Sequence, residues 1–120
     1  MKPYQDARVE GEKLAKQYAE LEQADQVDFY NGLEVYYSVL GHNKKQEAIA
    51  VLIEKNDHKI YVYQLDKGIS QDKAATISRE KGASDIEKIT FGRYQDKPIW
   101  EVKSGNQYYL VDFETGVVIQ

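Results

Sequence analysis

The stretch from Ile69 to Gln120 leaves the chain few folds to choose from, because one short helical pattern closed by a glycine precedes three apolar runs. Ser70 is a natural N-cap, its hydroxyl able to accept from the free N–H groups of a first turn. Ile69 stands at the staple spacing from Ala74. Ala74, Ala75 and Ile77 supply an apolar face, Arg79 and Lys81 suit the negative helix end, and Gly82 permits a left-handed stop. The runs that follow are Ile86–Tyr94, Ile99–Val102 and Tyr108–Phe113, with Glu114-Thr115-Gly116 read as a tight turn. None of this is chemistry. On physical grounds the stretch spells a small α+β binding domain without naming what is bound.

Composition sets the outer bounds. A chain of 120 residues makes one ordinary domain, or two very small units sharing a core. Apolar content of 42% with a net charge of −4 belongs to a folded protein and leaves no nucleic-acid footprint. The absence of cysteine excludes disulfides and thiol chemistry, though it does not fix a compartment. No apolar run approaches the 18 or so residues that a membrane span needs, and no signal peptide is visible.

The first half opens with a helix expected from about Tyr4 to Ala24, since Tyr4, Ala7, Gly11, Leu14, Tyr18 and Leu21 recur at spacings of three and four. Glu10, Lys13, Lys16, Glu20 and Gln23 fill the opposite face. A coiled coil is the competing reading, but Gly11 and Ala7 are poor knobs, so the helix should lie on its own sheet. Val27–Tyr30 and Leu33–Leu40 flank Asn31-Gly32, which is either a hairpin turn or a bulge bending one long strand. The shortness of the first arm favours the bend. Gly41–Lys45 reads as a polar loop, Ala48–Glu54 as a strand, Asn56-Asp57 as a turn and Ile60–Leu65 as a further strand.

A repeat emerges. Asp66-Lys67-Gly68 and Glu114-Thr115-Gly116 lie 48 residues apart, each after a tyrosine-rich strand, and at that offset Tyr61 meets Tyr109 and Leu65 meets Phe113 without gaps. The pattern implies two copies of helix-then-antiparallel-strands, residues 1–67 and 68–120, the first with about ten extra residues between helix and strands. Ile60–Leu65 and Tyr108–Phe113 are apolar on both faces, so the copies are expected to cover each other.

Ser-x-x-x-Ala at Ser70–Ala74, Gly82 at the helix end, Trp100-Glu101-Val102 and Tyr108-Tyr109-Leu110-Val111-Asp112-Phe113-Glu114-Thr115-Gly116-Val117-Val118 together resemble a PepSY-type module. The whole chain, with its longer first half, resembles the extracytoplasmic part of the cell wall elongation regulator TseB-like family of Gram-positive bacteria. The resemblance implies an α+β fold of two tandem cystatin-like or PepSY-like units, each a helix packed on a small antiparallel sheet. It further implies an N-terminal membrane helix absent from this chain, with Met1-Lys2-Pro3 just beyond it, and contact with a penicillin-binding transpeptidase at the cell surface. Cystatin-like shape also supports a second reading, a protease inhibitor or propeptide-like regulator with Gly41–Gln46 as its wedge.

Candidate chemistry is thin. Ser70-Gln71-Asp72-Lys73 and Lys103-Ser104-Gly105 match Ser-x-x-Lys and Lys-[Thr/Ser]-Gly of penicillin-recognising acyl enzymes, but the intervening Ser-x-Asn element is missing. A helix cap and a hairpin turn explain both matches. His42 and His58 each read as lying in a polar turn without metal-ligand spacing. The carboxylate pairs Asp25/Asp28 and Asp112/Glu114 sit at expected helix and strand ends. No Gly-rich phosphate loop occurs, so no catalytic residue, metal ligand or cofactor is assigned.

Ten tyrosines beside a single tryptophan are the remaining oddity. Tyrosine joins apolar area to a polar tip and serves half-buried sheets and interfaces alike. In the pairs Tyr36-Tyr37 and Tyr108-Tyr109 one member must face away from its own core. Coverage by the sister copy has the edge for Tyr108, and Tyr36 stays open between coverage and a binding surface. Tyr36, Tyr108 and Trp100 are accordingly the candidate partner-binding residues of a non-enzymatic, membrane-tethered module.

Overall fold

The computed structural model describes residues 3–119, with side chains described from residue 8 onward. Two helices and two antiparallel sheets give an α+β architecture, divided between Gln64 and Leu65 into two compact units. Met1, Lys2 and the seam positions Tyr4 and Ala7 lie outside the described side chains.

In the first unit, helix α1 (Pro3–Tyr18) precedes four strands, β1 (Leu21–Asn31), β2 (Val35–Asn43), β3 (Ala48–Glu54) and β4 (Ile60–Gln64), paired in the order β1-β2-β3-β4. The helix packs over β1, β2 and β3, so its apolar stripe is answered by its own sheet. Ala15 at 0% exposure is the stripe's centre, with Leu21, Val27, Tyr37, Val39, Ile49, Val51 and Ile53 beneath it.

This corrects the expected helix end. Residues 21–24 are strand, because Glu20 adopts φ 57° and breaks the helix. Leu21 is buried in the same core, but from a strand. Leu-Glu-Gln-Ala has good helix propensity, and the tertiary gain of a fourth strand outweighs it. Tyr18, expected on the packed face, is 60% exposed.

Asn31-Gly32 is the second correction. It opens a hairpin connection through Leu33 and Glu34, with Asn31 paired to Val35, and does not bend one long strand. The bulges lie further back, where register shifts occur between Leu21 and Gln23 and between Ala24 and Gln26. They surround Gly41, where β1 crosses so close that an added Cβ would stand 2.0 Å from the Gln23 carbonyl oxygen. A third correction follows. Gly41, His42 and Asn43 belong to β2, leaving Lys44–Glu47 as the loop.

The second unit starts with a 3-10 turn (Leu65–Lys67) and helix α2 (Gln71–Glu80), followed by β5 (Ile86–Tyr94), β6 (Lys97–Ser104) and β7 (Gln107–Asp112) in one sheet. Leu65 thus leaves the strand it was expected to end. Ser70 caps α2 as its chemistry predicts, its Oγ accepting from Lys73 N at 3.0 Å. At the other end Gly82, at φ 114°, donates to Arg79 O while Ala83 donates to Ser78 O, a Schellman closure. Gly116 has φ 80°, as its tight turn requires.

Phe91, Trp100 and Phe113 form the unit's aromatic centre, with ring centroids 4.9, 5.2 and 6.4 Å apart in edge-on geometry. The 48-residue offset carries β2, β3 and β4 onto β5, β6 and β7. The surplus of the first half is therefore a whole strand, β1, of 11 residues.

Candidate contact surface

The three tyrosine and tryptophan candidates part company. Trp100 is 2% exposed and donates its indole N–H to the Ile69 carbonyl at 3.0 Å, which makes it a core residue. Tyr36 is 4% exposed, with ring contacts to Tyr30 and Tyr61. Neither ring stands at a surface. Tyr108, by contrast, is 54% exposed, which corrects the expectation that the sister copy covers it.

Register explains what surrounds Tyr108. Residues paired across strands share a face, so Tyr108 lies with Lys103, and Leu110 with Glu101. Beyond β7 the tail pairs through Val111 and Val118, with Ile119 N donating to Leu110 O and Asp112 N to Val117 O. Ile119 and Val117 therefore lie on the face that carries Tyr108. These two are 38% and 61% exposed, so three large apolar side chains line one margin of the second sheet. Contiguous exposed apolar groups mark contact sites more reliably than scattered ones. On the same face Glu101 is held above its ordinary value by burial, with Lys88 pulling it back. Sequence reasoning named Tyr108 but missed Val117 and Ile119, because only the tail's pairing with β7 sets their face.

The other candidates resolve into structure. Ser104 Oγ accepts from Asp85 N at 3.0 Å, and Gly105-Asn106 is the β6–β7 turn, so the acyl-enzyme matches are a cap and a hairpin. His42 is not in a loop but in β2, where its Nδ1 lies 3.0 Å from Asp25 Oδ2, both side chains 41% exposed. Asp25 also accepts from Gln23 Nε2 at 2.8 Å. Asp25 is the extra residue of a bulge, which re-aims its carboxylate at the imidazole. His58 sits exposed in a turn at φ 57°. Asp112 Oδ1 accepts from Glu114 N and Thr115 N at 2.8 and 3.0 Å, holding the turn that leads to the tail. The expected wedge Gly41–Gln46 is half strand, and Asn43 Oδ1 clamps its remainder by accepting from Lys45 N and Glu47 N at 2.9 and 3.0 Å. Among the described residues, no group of three or more His, Cys, Asp or Glu side chains could hold a metal ion.

One group escaped the sequence altogether. Glu54, 7% exposed at the end of β3, pairs across the sheet with Tyr36, whose hydroxyl donates to Glu34 at 3.4 Å. Burial raises the Glu54 pKa above its ordinary 4.5, as do the charges of Asp57 and Glu34 and the hydrogen bond that protonated Glu54 donates to the Glu34 carboxylate, while Lys59 opposes. The folded chain therefore holds this proton more tightly than the unfolded chain. Stability is expected to fall as pH rises from 4.5 through the raised value. Glu54→Gln should melt higher than the parent at pH 7, with the difference vanishing below about pH 4, where both states are protonated. Equal melting temperatures at pH 7 would dismiss the buried-carboxyl account.

A profile of the cell wall elongation regulator TseB-like domain matches residues 10–54. The probable cell wall elongation regulator TseB of Bacillus subtilis (strain 168) is 37% identical over 114 residues, 88% of this chain and 70% of that protein. The solved structure of the YpmB protein from Bacillus subtilis superposes with a TM-score of 0.76 at 32% identity, covering 100% of this chain and 96% of that one.

Proposed function

Because the chain belongs to the cell wall elongation regulator TseB-like family, we propose that it is a non-enzymatic, extracytoplasmic protein-binding module that contacts a penicillin-binding transpeptidase. The two units are, on this reading, cystatin-like or PepSY-like platforms that carry surfaces and no reaction centre. A membrane helix preceding the chain would tether it beside a transpeptidase that has its own anchor. Shared tethering raises effective concentration, so weak contacts suffice.

The observation that carries this reading is the apolar margin of Tyr108, Val117 and Ile119. Interface anchors are commonly aromatic, and truncating one costs more than about 1 kcal/mol, or roughly a factor of five to ten in affinity. Tyr108→Ser should weaken capture of the transpeptidase by about that factor, with the melting temperature almost unmoved because the ring is half in water. The measurement is a pull-down with the membrane-anchored protein against each penicillin-binding protein. Failure to capture any of them, with normal cell length restored by the untethered chain in a deletion strain, would sink the reading.

A further inference from the structure

Four strands form the sheet margins, β1 and β4 in the first sheet and β5 and β7 in the second. A bare edge invites another strand, and proteins blunt it with bulges, charges, proline or a covering segment. Three of these margins are blunted. β1 carries two bulges, with Glu22 and Asp25 as the extra residues. β5 carries one at Glu87 and adds Lys88 and Arg93. β7 is covered by the tail through Val118 and Ile119.

β4 has no bulge, charge or proline, and among the described residues no strand or bridge pairs with its outer edge. Ile60-Tyr61-Val62-Tyr63-Gln64 holds no charge and no proline, and its register with β3 runs from Ile60 to Gln64 without a shift. Glu54 N donates to Lys59 O at 2.8 Å, which fixes the phase of the ladder. Lys59, Tyr61 and Tyr63 turn their backbone toward β3, and Ile60, Val62 and Gln64 turn theirs outward. The outward groups are three N–H donors and the carbonyls of Ile60 and Val62 at two-residue spacing, a pattern matched by another extended backbone, while the Gln64 carbonyl is taken up by the 3-10 turn that follows. The Val62 side chain pairs with Val51 of the helix-covered core, yet is 48% exposed.

We propose that the outer edge of β4 receives an extended segment of the partner protein as a fifth strand of the first sheet, with an apolar residue of that segment against Val62. The proposal rests on the reading that this protein acts by contact. Strand addition draws affinity from main-chain bonds and specificity from alternate side chains. A second copy is the weaker occupant. Three outward residues bury far less than the 1,200 Å² or so that holds two free proteins together, whereas a co-tethered partner gains effective concentration.

Val62→Pro tests this selectively, since it removes an outward N–H and leaves the bonds to β3 in place. Val62→Lys does so by charge, and either variant is used once circular dichroism shows the native fold. The anchored full-length protein carries a photocrosslinking benzoylphenylalanine at Gln64, in a strain lacking its own copy of the gene. The expected result is one adduct with a membrane protein, reduced at least tenfold by Val62→Pro or Val62→Lys, with cell-length complementation lost in parallel. Full complementation by both folded variants, an unreduced adduct, or an adduct only with a second copy would overturn the proposal. An adduct with a membrane protein other than a penicillin-binding protein, abolished by the variants, would uphold strand addition and remove the transpeptidase reading.

Discussion

Trp100→Ala should cost about 3–5 kcal/mol and unfold the second unit well below the parent's melting temperature. The indole fills the centre of that unit at 2% exposure, edge-on to Phe91 and Phe113. Its removal opens a cavity that neither Phe91, held in β5, nor Phe113, held by its N–H to the Pro98 carbonyl, can fill. It also strips the Ile69 carbonyl of its donor at the residue before the Ser70 cap, so the entry to α2 loosens with the core. Trp100→Phe separates the two effects. Most of the volume stays, and the remaining loss of about 1–3 kcal/mol reports the unpaired carbonyl. Urea denaturation followed by circular dichroism is the measurement. A loss below 1 kcal/mol for the alanine variant would show that the ring does not support the core.

Gly41→Ala is the second large effect, on the order of 3 kcal/mol, at the upper end of overpacking costs. The new methyl would meet backbone, the Gln23 carbonyl at 2.0 Å, and the Leu21 side chain at 2.9 Å. Backbone held in a strand ladder cannot swing away as a lysine tip can, so β1 must leave β2. Leu21 would leave the core with it. Because Asp25 reaches His42 only through the neighbouring bulge, that 3.0 Å contact should be lost as well. Thermal melting reads the first consequence and His42 imidazole resonances the second. An unchanged melting temperature would mean that the two strands do not approach as closely as described.

How legible this was differs by element. Local signals held where one residue type answers one backbone need. Ser70 caps α2, Gly82 closes it, Gly105 turns β6 into β7, and Ile86–Tyr94 is a strand with the bounds its apolar run predicts. They failed at Leu21–Gln26, where helix-favouring residues form a bulged strand, and at Gly41–Asn43, where polar residues continue one. Sheet pairing rewards a residue for its neighbours across the ladder, which lie up to tens of positions away in the chain. The surfaces follow the same rule. One of two adjacent tyrosines on a strand must face away from its own core, but whether that ring is covered is not local: Tyr36, open between coverage and a binding surface, is buried, and Tyr108, expected to be covered, is exposed.

From the sequence alone came the α+β class, the repeat of a helix followed by antiparallel strands, the caps and turns, and the family. The first three are encoded in periodicity or in residues a few positions apart, and the family in the resemblance carried by the motifs from Ser70 to Val118. Tertiary structure alone decided that the surplus of the first half is strand β1, that Trp100 and Tyr36 are core, and that Glu54 is a buried acid. It also decided that Val117 and Ile119 join Tyr108 on one face and that β4, without bulge, charge or proline, is an edge strand. The physical reason is common to all of these. Exposure, and the direction in which a backbone N–H points, are set by which strand lies alongside, and that choice is made by the whole core at once.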